Sequence, residues 1–252
     1  MKKKTYIAAA LMFAALLPLS ARAADKAGDV VYVRGTGLVE RQAKFHKAVL
    51  KAAVQETDNV LTRERSRMKL LFSDDSILTL GANSKLVVKK YLYNPKSKRA
   101  ESIYELADGR LKAVVGGAGF KVTTPTAFAA ARGTVFVIWY DTATNTTQVA
   151  VTEGSVDFGN LNVPGTQTIG AGQMSSITGD GPPAPPGPID GDASGILSDL
   201  GEPGLPDPPG PDIPILQLVD DFREQTGSLP GAPPIDQQPA NITRVNLNLV
   251  FP

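Results

Sequence analysis

Short apolar runs separated by polar turn formers dominate the first two thirds of the chain. The clearest runs are Met68–Phe72, Ile77–Leu80 and Leu86–Tyr93, with turn formers at Ser73–Asp75 and Gly81–Asn83 between them. Runs of four to eight residues bounded by Asp, Asn, Ser and Gly are typical of β-strands joined by tight turns. The pattern therefore predicts a succession of short strands.

The same pattern continues toward residue 160. GRLKAVV and GFKVTT flank a glycine-rich turn, and Val135–Tyr140, Thr147–Thr152 and Ser155–Phe158 follow. VFVIWY is apolar at both parities, which predicts a strand that is covered on both faces. One segment differs: AKFHKAVLKAAV places Phe45 and Val49 at helical spacing among good helix formers, so propensity alone favours a helix. No repeat period of about 20–50 residues emerges that would indicate a repeat array.

The last third of the chain is rich in proline. Of the 20 prolines, 15 lie between Pro182 and Pro239. Proline fixes φ and lacks an amide donor, so an extended linker is predicted over residues 181–240. ILQLVDDFRE, with apolar residues at helical spacing, predicts a short helix near 214–224 within it. The alternating apolar residues of NITRVNLNLVFP predict a terminal strand over 241–252.

The first 23 residues have the features of a secretory signal peptide. Three lysines precede an apolar run from Tyr6 to Leu19, and Ala21-Arg22-Ala23 carries small residues at the two positions that a signal peptidase reads. The run is shorter than the ~20 residues that a spanning helix needs. Export to the periplasm or beyond is expected. The chain has no cysteine, so the domain predicted over residues 24–180 must be stable without disulfides.

Charge and composition narrow the chemistry. Residues 24–180 carry 20 Lys and Arg against 15 Asp and Glu, whereas residues from 181 onward carry 2 against 10. An acidic tail on a mildly basic domain indicates a solvated spacer or self-association. With no cysteine and His46 as the only histidine, no metal or other cofactor is predicted. No hydrolase, P-loop or zincin motif occurs, so no catalytic residue is assigned and an enzyme is not expected.

Several motifs, taken in order, resemble the FecR domain, a module best known from the periplasmic half of bacterial anti-sigma regulators. They are DNVLT with Ser66-Arg67, LFSDDSILTL followed by Asn83-Ser84, TPTA, ARGTVF, EGSV and AGQ. The resemblance covers roughly residues 28–177. It implies an all-β domain of short antiparallel strands and hairpins, either a twisted sandwich or solenoid-like, and β-structure rather than a helix around Phe45. Asp75 stands where the family usually has glycine.

The resemblance also implies a function. The regulators have a cytoplasmic segment and a membrane helix before this domain, whereas this chain has a signal peptide there, so a free-standing exported FecR-domain protein is expected. It would act without catalysis as an interaction or signal-relay module of the envelope, with another envelope protein as partner. The alternative is a module that binds cell-wall glycan or another anionic surface.

Arg132-Gly133-Thr134, at the start of the most apolar strand, is either an anion-binding site or a structural corner. We favour the corner, with Arg132 in a buried ion pair with Asp74 or Asp75, because an unpaired buried charge is costly. The residues that the motifs assign to such structural positions are Asp74, Asp75, Ser76, Thr124, Pro125, Arg132, Gly133, Thr134, Phe136, Glu153 and Gly154.

One basic cluster stands out: Lys85, Lys89, Lys90, Lys96, Lys98 and Arg99. It is a candidate surface for an anionic partner such as lipopolysaccharide, peptidoglycan carboxylates or the acidic tail. A charged strand edge that blocks unwanted pairing explains it nearly as well. Nucleic acid is not an expected partner, because the compartment that an exported protein enters lacks it.

Overall fold

Strands make up most of the computed structural model, which describes residues 26–201 except Pro95, Lys98, Gly117 and Ala118. The predicted signal peptide, the helix near 214–224 and the terminal strand 241–252 lie outside the described residues. The first nine strands are β1 (Lys26–Arg34), β2 (Gly37–Arg41), β3 (Lys44–Lys47), β4 (Ala53–Gln55), β5 (Asn59–Thr62), β6 (Arg67–Phe72), β7 (Ile77–Leu80), β8 (Lys85–Asn94) and β9 (Arg99–Val114). The later elements are β10 (Gly119–Thr123), β11 (Ala127–Ala131), β12 (Val135–Asp141), β13 (Thr146–Glu153), β14 (Ser155–Asn160), β15 (Thr166–Gly170), β16 (Gln173–Thr178), β17 (Gly187–Pro188) and the helix α1 (Gly191–Asp199).

The strands form two sheets that share β9. The first sheet has the order β4-β1-β6-β7-β9-β12-β13-β16-β17, and the second has the order β3-β2-β5-β8-β9-β10-β11-β14-β15. Every pairing is antiparallel except that of β10 with β9. The inner faces pack on one core, in which Phe72 contacts Tyr104 and Phe120 contacts Phe136, with ring centroids 5.1 and 5.9 Å apart. The predicted all-β class is confirmed, as a sandwich.

β9 passes from one sheet to the other at Asp108-Gly109. Its first half pairs with β8 and β10, and its second half with β7 and β12. Gly109 has a φ of +87°, and a Cβ there would lie 2.6 Å from the Cα of Ser84. Both facts require glycine at this bend. The segment around Phe45 forms β3, a turn and β4, as the family resemblance implied and contrary to its helix propensity.

Part of the outer face of the first sheet, around β12, is covered by the chain itself. In β12, Phe136 and Ile138 face the core, whereas Val137 and Trp139 pack in a second cluster with Ala193 and Leu200, from α1 and its C-cap. The prediction that VFVIWY is covered on both faces is confirmed. In the described part of the chain, no helix is long and apolar enough to cross a membrane.

The covering segment, residues 181–201, lies within the region predicted to be an extended linker, so the predicted domain end at residue 180 is too early. Ala184 and Ile189 lie among the prolines and keep their amide donors. The amide of Ala184 donates to Ser176 O at 2.8 Å, and the amide of Ile189 donates to Gly172 O at 3.2 Å. The segment thus runs along β16 as an edge, where proline is tolerated. Asp190 then caps α1 by accepting from the amide of Ala193 at 2.8 Å. We call residues 181–201 the strap.

The β2–β3 hairpin yields a stability prediction. Its two loop residues, Gln42 and Ala43, have φ of +50° and +60°, the geometry that Asn-Gly adopts with least strain. Replacing them by Asn-Gly is expected to raise the free energy of unfolding by about 0.5–1.5 kcal/mol. Urea unfolding measures the change. Asn83→Gly is the control, because asparagine already tolerates its φ of +50°. No stabilisation in the Asn-Gly variant would show that this loop is not under strain.

Candidate functional site

The two main sequence motifs meet at Gly116. The amide of Gly116 donates to Ser76 Oγ at 3.1 Å, and its carbonyl accepts from the amide of Gly133 at 3.0 Å. The space beside Gly116 is filled by the carbonyl of Asp74, which leaves no room for a Cβ. The Asp74-Asp75-Ser76 turn and the Arg132-Gly133-Thr134 bend are thus joined through one backbone position.

The Asp74-Asp75-Ser76 turn depends on both aspartates. Asp75 has a φ of +63°, a conformation that aspartate tolerates better than most residues, as expected for a position where the family has glycine. The carboxylate of Asp74 accepts from Ser76 Oγ at 3.1 Å and from Tyr91 Oη at 3.2 Å. Burial, with the neighbouring Asp74 charge, raises the pKa of Tyr91 far above its usual value. Tyr91 therefore stays protonated and serves as a hydrogen-bond donor.

The Arg132-Gly133-Thr134 bend is held by its threonine. Thr134 Oγ1 lies 2.9 Å from Ser155 O and 3.0 Å from Arg132 O, within donating distance of both. Gly133 has a φ of +58°, and Gly154, with a φ of +77°, packs directly on Gly133 and Thr134. The EGSV motif thereby contacts the ARGTVF motif.

The expected buried ion pair of Arg132 with Asp74 or Asp75 is wrong. Arg132 and Asp75 are exposed. The bend at Gly133 turns the backbone into the buried strand β12 while the Arg132 side chain stays at the surface. Because Arg132 is exposed, its guanidinium does not carry the desolvation penalty of a buried charge.

Thr124 and Thr126 flank the exposed Pro125 and are buried. Their hydroxyls lie 2.6 and 2.7 Å from Thr147 Oγ1. Thr124 Oγ1 also accepts from the amide of Ala127 at 3.0 Å. This motif closes the turn between β10 and β11. Phe136 lies in the core and Glu153 is exposed.

These contacts predict effects of different size for two nearby residues, Arg132 and Thr134. Thr134→Val is expected to lower the free energy of unfolding by about 0.5–1.5 kcal/mol, because it removes the hydrogen bond that the Thr134 hydroxyl donates to a backbone carbonyl. Arg132→Ala is expected to change it by less than about 0.5 kcal/mol, as for an ordinary surface position. Urea unfolding of both variants measures the contrast. A loss in Arg132→Ala as large as that in Thr134→Val would contradict the surface assignment.

A cleft of about 480 Å³ lies beside this bend, on the outer face of the second sheet. It crosses β9, β10, β11 and β14, whose registers place Glu101 beside Gly119 and Ala130 beside Asp157. Glycine and alanine, whose side chains are small, lie at the floor of the cleft, and charged side chains surround them. The lining residues that carry charge are Glu101, Lys121, Arg132 and Asp157.

The charges around the cleft are of both signs. Glu101 is bridged by Lys90 at 2.8 Å, and Asp157 accepts from Thr168 at 2.8 Å. Lys121 Nζ lies 4.6 Å from the ring centroid of Phe128, an arrangement that favours a cation over the ring. Among the described residues, no group of His, Asp and Glu could hold a metal ion. The cleft therefore suits a partner that presents charges of both signs.

Acidic residues on β9 accompany the predicted basic cluster. Lys89 pairs with Glu105 and Lys90 with Glu101, each at 2.8 Å. These pairs reduce the positive charge of the surface and favour the charged-strand interpretation. Lys85 is half-buried and Lys96 exposed, whereas Lys98 and the side chain of Arg99 lie outside the described residues.

Sequence reasoning missed Lys121 and Asp157, two residues that line the cleft. They are separated by 36 positions and come together only through the order β10-β11-β14. The alternation of GFKVTT does place Lys121 opposite the core residues Phe120 and Val122. That signal identifies an outward residue, but not the cleft.

Comparison with known proteins finds one family model and two solved structures that resemble parts of this chain. Residues 58–157 match the model of the family described as "FecR protein". Two crystal structures described as a "putative anti-sigma factor" from Parabacteroides distasonis ATCC 8503, at 2.50 and 1.65 Å resolution, share 13% identity with a TM-score of 0.44. The matches cover 67% of this chain and 91% and 92% of those chains. No curated protein matches the chain. The matched segment runs from the buried Asp58 to Asp157 in the cleft, and this part of the chain is therefore similar to a FecR domain.

Proposed function

We propose that this protein is an exported, non-catalytic FecR-domain module that binds another envelope protein and relays or assembles a signal through it. The observation that carries the proposal is the contrast between the two outer faces of the sandwich. The strap covers an apolar part of the first sheet, whereas the second sheet carries a charged cleft beside the family's own Arg132-Gly133-Thr134 bend. A concave surface on which a few charged side chains converge is suited to recognition.

The mixed charges support a protein partner. Protein interfaces use complementary charges of both signs to set orientation and association rate, whereas a purely anionic ligand favours a site of one sign. Lys121 and Arg132 lie in the same cleft as Glu101 and Asp157. The signal peptide predicted over residues 1–23 supports a periplasmic or otherwise exported location.

Cell-wall glycan or another anionic surface is the second candidate, because Lys121 and Arg132 supply two cations to one cleft. Two experiments distinguish a protein partner from a cell-wall partner. One is capture of proteins from cross-linked periplasm, and the other is co-sedimentation with purified sacculi. A dominant protein partner supports the proposal. Co-sedimentation with sacculi and no protein partner would replace it by the second candidate.

A pair of charge reversals tests whether the cleft is the binding surface. Arg132→Glu should reduce capture of the partner, with folding unchanged. Arg65→Glu is the matched control, because the Arg65 side chain is 91% exposed and belongs to the turn before β6, outside the cleft lining. Equal capture by both variants and the unmodified protein would rule out the cleft as the binding surface.

A further inference from the structure

The turn between β3 and β4 exposes two adjacent apolar residues. Val49 and Leu50 are 54% and 62% exposed, the largest values among the exposed large hydrophobic residues of the described chain. Single exposed apolar residues are ordinary on protein surfaces. Two adjacent exposed apolar residues in one turn are less common. Their neighbour Ala48 packs in the core and is only 3% exposed, whereas Val49 and Leu50 remain in solvent.

Backbone hydrogen bonds hold this turn in place. The amide of Ala48 donates to Gly37 O at 2.8 Å, and the amide of Lys51 donates to Val30 O at 2.7 Å. The amide of Ala52 donates to Val49 O at 2.9 Å and closes a four-residue turn. Lys51 has a φ of +66°, a strained conformation for a long side chain. These hydrogen bonds fix the backbone of the turn, and the side chains of Val49 and Leu50 are exposed to solvent.

Four basic residues lie close to the apolar pair along the chain. Lys44, His46, Lys47 and Lys51 are all exposed. The salt bridges between described residues include none of these side chains. The nearest acidic residues along the chain have other partners: Glu40 accepts from Asn59 at 2.9 Å, Glu56 accepts from the amide of Tyr91 at 2.9 Å, and Asp58 is buried against Arg41. The turn thus combines exposed aliphatic carbon with a local excess of positive charge.

We propose that this turn, residues 44–51, docks on a bilayer of anionic phospholipid. Leu50 and Val49 enter the boundary between headgroups and acyl chains, and the lysines contact the phosphates. Apolar insertion together with basic residues is the combination that gives reversible peripheral binding. The surface lies on the β3–β4 turn, away from the residues that line the cleft on the second sheet, so docking leaves the cleft open for its partner.

Vesicle co-sedimentation tests the proposal. The chain from Ala24 onward is used, because the apolar run of residues 6–19 would itself bind lipid. It should sediment with phosphatidylethanolamine vesicles that contain phosphatidylglycerol, and not with phosphatidylcholine vesicles. Val49→Ser/Leu50→Ser should weaken binding about tenfold, and Lys44→Gln/Lys47→Gln should weaken it and flatten its salt dependence.

Two controls make the result specific. Leu161→Ser removes another exposed leucine, 45% exposed, and should bind as the unmodified chain does. Arg132→Glu should also bind normally, which separates this proposal from the cleft. The proposal is overturned if the unmodified chain does not sediment with anionic vesicles, or if Val49→Ser/Leu50→Ser binds them as tightly as the unmodified chain does. Loss of a protein partner in that variant, with vesicle binding intact, would likewise overturn it.

Discussion

Replacing Arg41 by alanine is expected to lower the free energy of unfolding by about 2–4 kcal/mol. Asp58 is fully buried, and its carboxylate accepts from Arg41 Nε at 2.8 Å and from Arg41 NH2 at 2.7 Å. Removal of the guanidinium leaves a buried charge with the amide of Gln55 as its one remaining donor among the described contacts. The expected loss lies below that for a fully buried pair, because the Arg41 side chain is 31% exposed.

A second substitution distinguishes lost charge pairing from lost packing. Arg41→Met/Asp58→Asn keeps much of the volume and removes both charges, so it should recover most of the stability that Arg41→Ala loses. Urea unfolding of the single and double variants measures this. Equal losses in the two variants would show that packing, and not the buried carboxylate, determines the effect.

Leu200→Ala is expected to lower the free energy of unfolding by about 2–4 kcal/mol and the melting temperature by about 5–15 °C. Leu200 is fully buried at the C-terminal end of α1, where it packs with Val137 and Trp139 on the outer face of the first sheet. α1 contains Gly191, Gly195 and two serines, so its own helix propensity is weak and its docking depends on such contacts.

Trp139 reports this loss directly, because it is the only tryptophan and is 8% exposed. In Leu200→Ala its emission should shift to longer wavelength and its quenching by acrylamide should increase, before global unfolding begins. Leu161→Ala, at a position 45% exposed, is the matched control and should leave both unchanged. If the emission of Trp139 and the melting temperature are unaltered in Leu200→Ala, the strap does not stabilise the domain.

The strands were predictable because their signals are local. Alternation and turn residues fixed β6, β7, β8 and β12–β14 to within one or two residues of the observed bounds. The run VFVIWY even predicted its second covering layer, since an apolar residue at each parity has to be buried on each face. The sequence did not show what would form that layer.

The strap and the buried ion pair depended on contacts that no local pattern shows. Proline richness indicated a linker, yet Ala184 and Ile189 provide donors at the edge of β16, and Leu200 provides the apolar contact. The buried pair was expected at Arg132, whereas it forms between Arg41, the last residue of β2, and Asp58, which directly precedes β5. Whether an arginine faces the core or the solvent depends on strand register, which a sequence motif alone does not supply.

Site-specific photocross-linking in cells tests whether the cleft binds an envelope protein. A photoreactive side chain is placed at Ser155, an exposed residue that lines the cleft, or at Ser198, an exposed serine on α1. If the cleft binds an envelope protein, Ser155 should give a discrete cross-linked product in the periplasmic or membrane fraction, and Arg132→Glu should abolish it. Cross-linked products of equal yield from both positions, or from Ser198 alone, would show that the cleft is not the surface that binds the partner.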